Sequence, residues 1–240
     1  VNVTVGISGT GGGFKKFCHA EIDISDASRH IKSTEIEECK KNSVNYIELP
    51  VAYDGLAVLV NPGNDFVKSI TVAELKSIFE SGSKIKSWKE LNPAYPDLPM
   101  KIFSPGQDSG TFDYFVEAIL GKDARVRADA SFSEDDNVLV TGISGEKGGI
   151  GFFGIAYYEE NKEKLKLVPV VNPTSGLPVL PSEVTVKDGS YAPLSRPVFI
   201  YVNQKAKARP EVDAFVKFYL ENVGKLARDT GYFPLETERY

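Results

Sequence analysis

The chain has 240 residues, 42% hydrophobic and 25% charged, with a formal net charge of -5. That length can bury a core without a metal or a disulfide staple, and no apolar run reaches the roughly 18 residues a membrane span requires. An acidic balance speaks against nucleic acid, whose backbone is bound by clustered Lys and Arg, but it leaves local capture of a small anion open. The two cysteines, Cys18 and Cys39, and the two histidines, His19 and His30, offer no closely spaced zinc set, so neither a metal nor another cofactor is expected. His19 reads as a solvated helix residue and His30 as the residue after a turn. No basic stretch followed by an apolar one opens the sequence, so no signal peptide is expected within it.

Residues 1–7 alternate Val and Ile with Asn, Thr and Gly, a period of two that predicts a strand leading into the glycine-rich stretch 8–13. Residues 14–20 predict a short helix and residues 21–25 a second strand. Thr34 and Glu37 have the spacing of a capping box for a helix to about Lys41. Residues 46–60 carry two β-rich runs. Thr71 and Glu74 form another capping box, opening a helix that ends around Phe79, Ser81 and Gly82. A strand at 101–103 passes through the loop 104–108 to Ser109, Gly110 and Thr111, again at a helix start. The apolar runs 138–143, 149–155 and 165–171 read as strands, and 173–193 as a Pro- and Ser-rich loop. Residues 197–203 give the last clear strand. A helix follows, opened by Pro210 and carried by Val212, Phe215, Val216, Tyr219 and Leu220. The fold class is α/β, and no internal repeat or heptad is present.

The two hydroxyl and glycine loops carry the chemistry. A helix N-terminus presents backbone N–H groups and about half a positive charge, so Ser and Thr flanked by Gly can surround a small oxyanion with donors. Thr10 with Gly11 to Gly13 is one such cradle, and Ser109, Gly110 and Thr111 the other. Either alone is also what an ordinary helix cap looks like. No Lys-Ser or Lys-Thr pair follows the glycines, and the third glycine of a dinucleotide fingerprint is missing, so nucleotide binding is not expected. A third segment, 26–29, adds Ser28 and the always-charged fork of Arg29, suited to two oxygens of a tetrahedral anion; its plainer reading is a surface ion pair.

Residues 8–14 (Ser-Gly-Thr-Gly-Gly-Gly-Phe), 21–29 (Glu-Ile-Asp-Ile-Ser-Asp-Ala-Ser-Arg), 50–55 (Pro-Val-Ala-Tyr-Asp-Gly), 108–111 (Asp-Ser-Gly-Thr) and 149–154 (Gly-Ile-Gly-Phe-Phe-Gly) together resemble the periplasmic phosphate-binding proteins of ABC phosphate importers, over nearly the whole chain. The resemblance implies a two-lobed α/β periplasmic-binding-protein-like fold with hinge strands between the lobes, closing on a dehydrated phosphate. It implies a membrane ABC permease as partner and a periplasmic or cell-surface location. By position, Thr10 and Gly11 match the first-lobe loop, and Ser109, Gly110 and Thr111 the second-lobe Ser-Gly-Thr loop. Residues 25–27 match the Ser-Asp-Ala run whose Asp, here Asp26, accepts the proton of hydrogen phosphate. Two departures stand out. Pro105 occupies the place of an arginine often found four residues before the serine, which makes Arg29 the candidate guanidinium. The chain also opens at what matches the family's second strand, lacking the first strand and helix and their hydroxyl contact.

The lobes are expected at 1–55 with 200–240, and at 56–199, with residues 53–55 and 197–202 near the crossings. A protein of an oxidising compartment with Cys18 and Cys39 on helices flanking one strand is expected to join them in a disulfide. No nucleophile elbow and no His near Ser109 in sequence support catalysis, so a binder rather than an enzyme is expected. The alternatives are another tetrahedral oxyanion, such as sulfate, molybdate or tungstate, and a phosphate-handling hydrolase or transferase.

Overall fold

The computed structural model describes the chain except Val1, Ile7, Asp108, Asp123 and residues 236–240. The chain divides into two compact units, Val1–Asp54 with Arg196–Tyr240, and Gly55–Ser195. The sequence placed these crossings at 55/56 and 199/200.

The first unit opens with α1 (Thr10–Cys18), β1 (Ile24–Ala27), α2 (Ser33–Lys41) and β2 (Tyr46–Val60), a 15-residue strand whose last six residues belong to the second unit. Two β-rich runs were expected over 46–60; the single strand passes straight through Pro50, which lies exposed within it.

The second unit continues with β3 (Ile70–Thr71), α3 (Val72–Phe79), α4 (Trp88–Leu91), β4 (Lys101–Pro105), α5 (Gly110–Phe115) with a π-helical extension Val116–Leu120, β5 (Ser131–Ser133), α6 (Asp136–Gly145), β6 (Gly149–Gly154), α7 (Ile155–Asn161), β7 (Lys166–Leu167), β8 (Val170–Val171), β9 (Pro178–Val179) and α8 (Glu183–Lys187). Its main sheet pairs the end of β2 antiparallel with β6, β6 parallel with β4, and β4 parallel with β5. Stacked Phe115 and Phe152, 3.7 Å between ring centres, and Phe79 across them form an aromatic core. Ala57, Leu59, Leu139, Val140, Ile143 and Phe153 form a second apolar cluster.

The chain then returns to the first unit through β10 (Ser195–Asn203), α9 (Gln204–Lys207), α10 (Pro210–Asp229) and β11 (Phe233–Pro234). β1 pairs antiparallel with β10, which lies beside β2 in the sheet, and β11 pairs with β2. β10 is apolar on both sides because both are covered. Phe199 and Tyr201 pack with Phe14, Phe17 and the cysteines, whereas Ile200 and Val202 pack with Val212, Val216 and Val223 of α10.

Several local expectations give way to specific competitors. Residues 138–143 are helical, not a strand. Asp135 caps α6 by accepting from Asn137 N–H at 2.9 Å, and Leu139, Val140 and Ile143 bury one helical face. The run 165–171 is split at Pro169, and its halves join different sheets, β7 pairing with β2 and β8 with β3. The cap of α2 uses Glu35 rather than the Thr34 and Glu37 pair: the Glu35 carboxylate accepts from Lys32 N–H at 2.8 Å. β1 starts three residues later than expected and includes Asp26. Residues 2–6 form no strand, since no described strand offers their backbone a ladder, and Val3 and Val5 are exposed. By contrast, the Thr71 and Glu74 box, Pro210 in the first turn of its helix, and the Cys18 to Cys39 disulfide are all present.

Candidate functional site

In the first unit α1 begins at Thr10, four residues ahead of the expected start, so Gly11 to Gly13 lie inside its first turns. Close packing explains Gly13: a β carbon there would stand 2.7 Å from Ser25 Oγ on β1. The first intrahelical bond is Gly13 N–H to Gly9 C=O at 3.0 Å, so the N–H groups of Thr10, Gly11 and Gly12 precede the ladder, as at any helix start.

The end of β1 is brought to this helix start. Ser28 N–H donates to Thr10 Oγ1 at 3.2 Å, and the two hydroxyl oxygens are 3.0 Å apart. One hydroxyl must donate to the other, so the pair retains one O–H hydrogen to offer elsewhere, whichever way the bond runs. Arg29 reaches the same place, its Nη2 3.8 Å from where a β carbon would sit on Gly11 and its Cζ 5.4 Å from the Phe14 ring centre. Its Nη1 and Nη2 donate to Glu35 Oε2 and Oε1 at 2.9 and 2.8 Å, and Nη1 also to the His30 carbonyl. An ion pair was the plainer expectation for Arg29, and the structure supplies one with Glu35.

The following residues are pinned too. His30 Nδ1 lies 2.9 Å from Glu48 Oε1 and its ring packs on Phe199; Ile31 N–H donates to the Tyr201 hydroxyl, which donates to Glu48 Oε2 at 2.6 Å. Burial, with Glu48 close by, pushes the Tyr201 phenol well up. Burial alone would raise the Glu35 carboxyl, but Arg29 and the Lys32 backbone N–H hold it below the ordinary range. Asp26 is on the exposed side of β1, yet enough protein surrounds its carboxyl for desolvation to raise it.

In the second unit β4 delivers the chain to the other cradle at its carboxyl end, the end at which parallel α/β sheets bind ligands. Ser109 caps α5, its Oγ accepting from Thr111 N–H at 3.2 Å. The loop is held by Gly106 N–H to Ser133 C=O at 3.0 Å and Ser109 N–H to Gly106 C=O at 3.1 Å. Gly106 is crowded by the Glu134 carboxylate, whereas a β carbon on Gly110 would meet nothing within 4 Å. Packing therefore does not require glycine at 110, and an open backbone is what close approach to a ligand needs. Burial, then Asp135 and Glu134, push Asp136 up to about 6. Arg127, buried in this unit, donates to the Ile78 and Ile85 carbonyls and pairs with Asp129. Pro105 ends β4 and supplies no donor.

Thr10, Gly11, Ser28 and Arg29 are thus gathered in one unit, with Asp26 on the adjoining strand, and Ser109, Gly110 and Thr111 in the other. Sequence reasoning missed Glu35, Glu48 and Tyr201. Among the described residues no group of three His, Cys, Asp or Glu is placed to hold a metal ion, and no helix is long and apolar enough to cross a membrane.

A family model described as PBP superfamily domain matches residues 1–223. Protein SphX of Synechococcus elongatus is 54% identical over 242 residues, covering 100% of this chain and 71% of that protein. Phosphate-binding protein PstS of Staphylococcus saprophyticus is 42% identical over 242 residues, covering 100% of this chain and 73% of its own length. The crystal structure of a possible phosphate binding protein from Planctomyces limnophilus matches with a TM-score of 0.91 at 44% identity, covering 96% of this chain and 81% of that one.

Proposed function

From the chain's place in the PBP superfamily, to which it belongs together with the phosphate-binding proteins it matches along its whole length, we propose that it binds inorganic phosphate as the substrate-binding protein of an ABC importer. The observation that carries this reading is the convergence of Thr10, Ser28 and Arg29 on the start of α1, hydroxyl and guanidinium donors joined by bonds between residues 18 apart in sequence. Thr10, Gly11, Ser28 and Arg29 donate to phosphate oxygens, as do Ser109, Gly110 and Thr111 in the second unit. Asp26 accepts the proton of hydrogen phosphate. The partner is a membrane permease, and the place of action is the periplasm or the cell surface, where PstS-like proteins work. The chain acts as a binder and not as an enzyme.

Calorimetric titration with phosphate and with sulfate at two pH values tests this. Phosphate should bind, sulfate should bind far more weakly, and a phosphomonoester should show no turnover. Arg29→Ala should weaken phosphate binding by roughly 3 kcal/mol, since it removes a charged two-donor fork, and Arg29→Lys by less, keeping charge without the fork. Wild-type affinity in Arg29→Ala at low and moderate salt removes Arg29 from the site. Absence of phosphate binding by the unaltered protein sinks the whole reading.

A further inference from the structure

Arginine carries its fork on a long, flexible stem, and the rotamer freedom lost on gripping an anion is a direct cost to affinity. In this chain that freedom is removed beforehand. The Glu35 carboxylate takes Arg29 Nη1 and Nη2 on its two oxygens, fixing the plane of the guanidinium. Phe14 flanks the group, and Nη2 lies alongside Gly11 at the start of α1. With side-chain exposures of 23% and 19%, the pair is sheltered, unlike a solvated pair whose geometry is loose.

Glu35 is itself held firmly. It sits in the first turn of α2, where it also accepts from Lys32 N–H. Cys39, one helical turn later on the same face, is bonded to Cys18 of α1. The helix that carries Glu35 is therefore covalently joined to the helix whose start carries Thr10 and Gly11.

We propose that Glu35 is a positioning residue for phosphate binding: without touching the anion, it holds the Arg29 guanidinium at the start of α1. This rests on the reading of Arg29 as a phosphate ligand. A cap for α2 is the competing role, and the two separate cleanly. Glu35→Gln keeps an oxygen for Lys32 N–H but loses the charge and the two-oxygen grip, whereas Glu35→Ala loses the cap as well.

The test is a double-mutant cycle read by phosphate titration, with thermal melting alongside. Glu35→Gln should melt near the wild type and bind phosphate about tenfold more weakly. In an Arg29→Ala background the same change should alter affinity by less than about twofold, because the group it positions is gone. Equal losses in both backgrounds would show that Glu35 acts independently of Arg29 and overturn the proposal. So would unchanged affinity in folded Glu35→Gln and Glu35→Ala, and so would tighter binding, which would make Glu35 a competitor of the anion. Wild-type affinity in Arg29→Ala alone would remove the underlying assignment and the proposal with it, while leaving phosphate binding by the chain intact.

Discussion

Ser109 separates a cap from a ligand contact because one hydroxyl can do both. In the structure its oxygen accepts from Thr111 N–H at 3.2 Å, and that bond leaves the hydroxyl hydrogen available for donation. If Ser109 only capped α5, Ser109→Ala would cost about 1 kcal/mol of stability, or roughly 2–4 °C in Tm for a chain of this size, with no change in affinity. If it also donates to phosphate, the lost bond to a charged ligand costs about 1.5–3 kcal/mol, raising Kd roughly 10- to 150-fold. Ser109→Gly sharpens the contrast, because glycine is nearly as good a cap and loses only a few tenths of a kcal/mol. It should melt close to the wild type and still bind phosphate as weakly as Ser109→Ala. Titration and melting of both variants decide the matter. Wild-type affinity in Ser109→Gly would refute the assignment and leave Ser109 as a helix cap.

The disulfide closes a loop with a sequence separation of 21, so reduction, or Cys18→Ala with Cys39→Ala, should cost about 3 kcal/mol of stability; full alkylation of both cysteines in unreduced, denatured protein would show that the bond does not form. The Asp136 carboxyl, raised to about 6 by burial and by its acidic neighbours, gives stability that is complete below the ordinary aspartate range and is lost as pH rises through about 6. Because solvent still screens this half-buried carboxyl, Asp136→Asn should raise stability by only about 1–2 kcal/mol at pH 7.5 and scarcely at pH 4, and an equal gain at both pH values in thermal melts would contradict this origin.

Features resting on residue chemistry were legible without coordinates. Ser109 beside Gly110 marked a helix start, as an ordinary cap does, and Pro210 and the Thr71 and Glu74 box act within a single turn. Residues 138–143 were misread because a six-residue apolar run with two valines fits a buried strand and a buried helix equally. The deciding signal, Asp135 as a cap, lies outside the run. Glu35 came close to detection: a cap was expected there, but two residues out of register, and its second task depends on where Arg29 lands. The Tyr201 bond to Glu48 joins residues 153 apart. No local pattern announces such a pair, because the sheet register creates it.

The pairing of Arg29 with Glu35 changes how an acidic protein would hold an anion. The sequence suggested that Arg29 brings positive charge to offset a dehydrated phosphate. The structure shows much of that charge already met by a carboxylate. What the first unit offers is then mainly orientation: a fixed guanidinium plane, one hydroxyl hydrogen from the Thr10 and Ser28 pair, and the N–H groups at the start of α1. Fixed dipoles in a water-poor site act strongly without net charge, so a formal charge of -5 is no obstacle. On the proposed reading such a site would also discriminate. Asp26 can accept a hydrogen bond but, while ionised, cannot donate one, and a sulfate dianion has no hydrogen to give it. Hydrogen phosphate does. A buried polar group left unpaired by the wrong ligand can cost several powers of ten in affinity, more than total charge supplies when both ligands are dianions. Selectivity would follow from matching donors to acceptors, and Asp26, raised by desolvation, would lose it on the acid side at a higher pH than an ordinary aspartate.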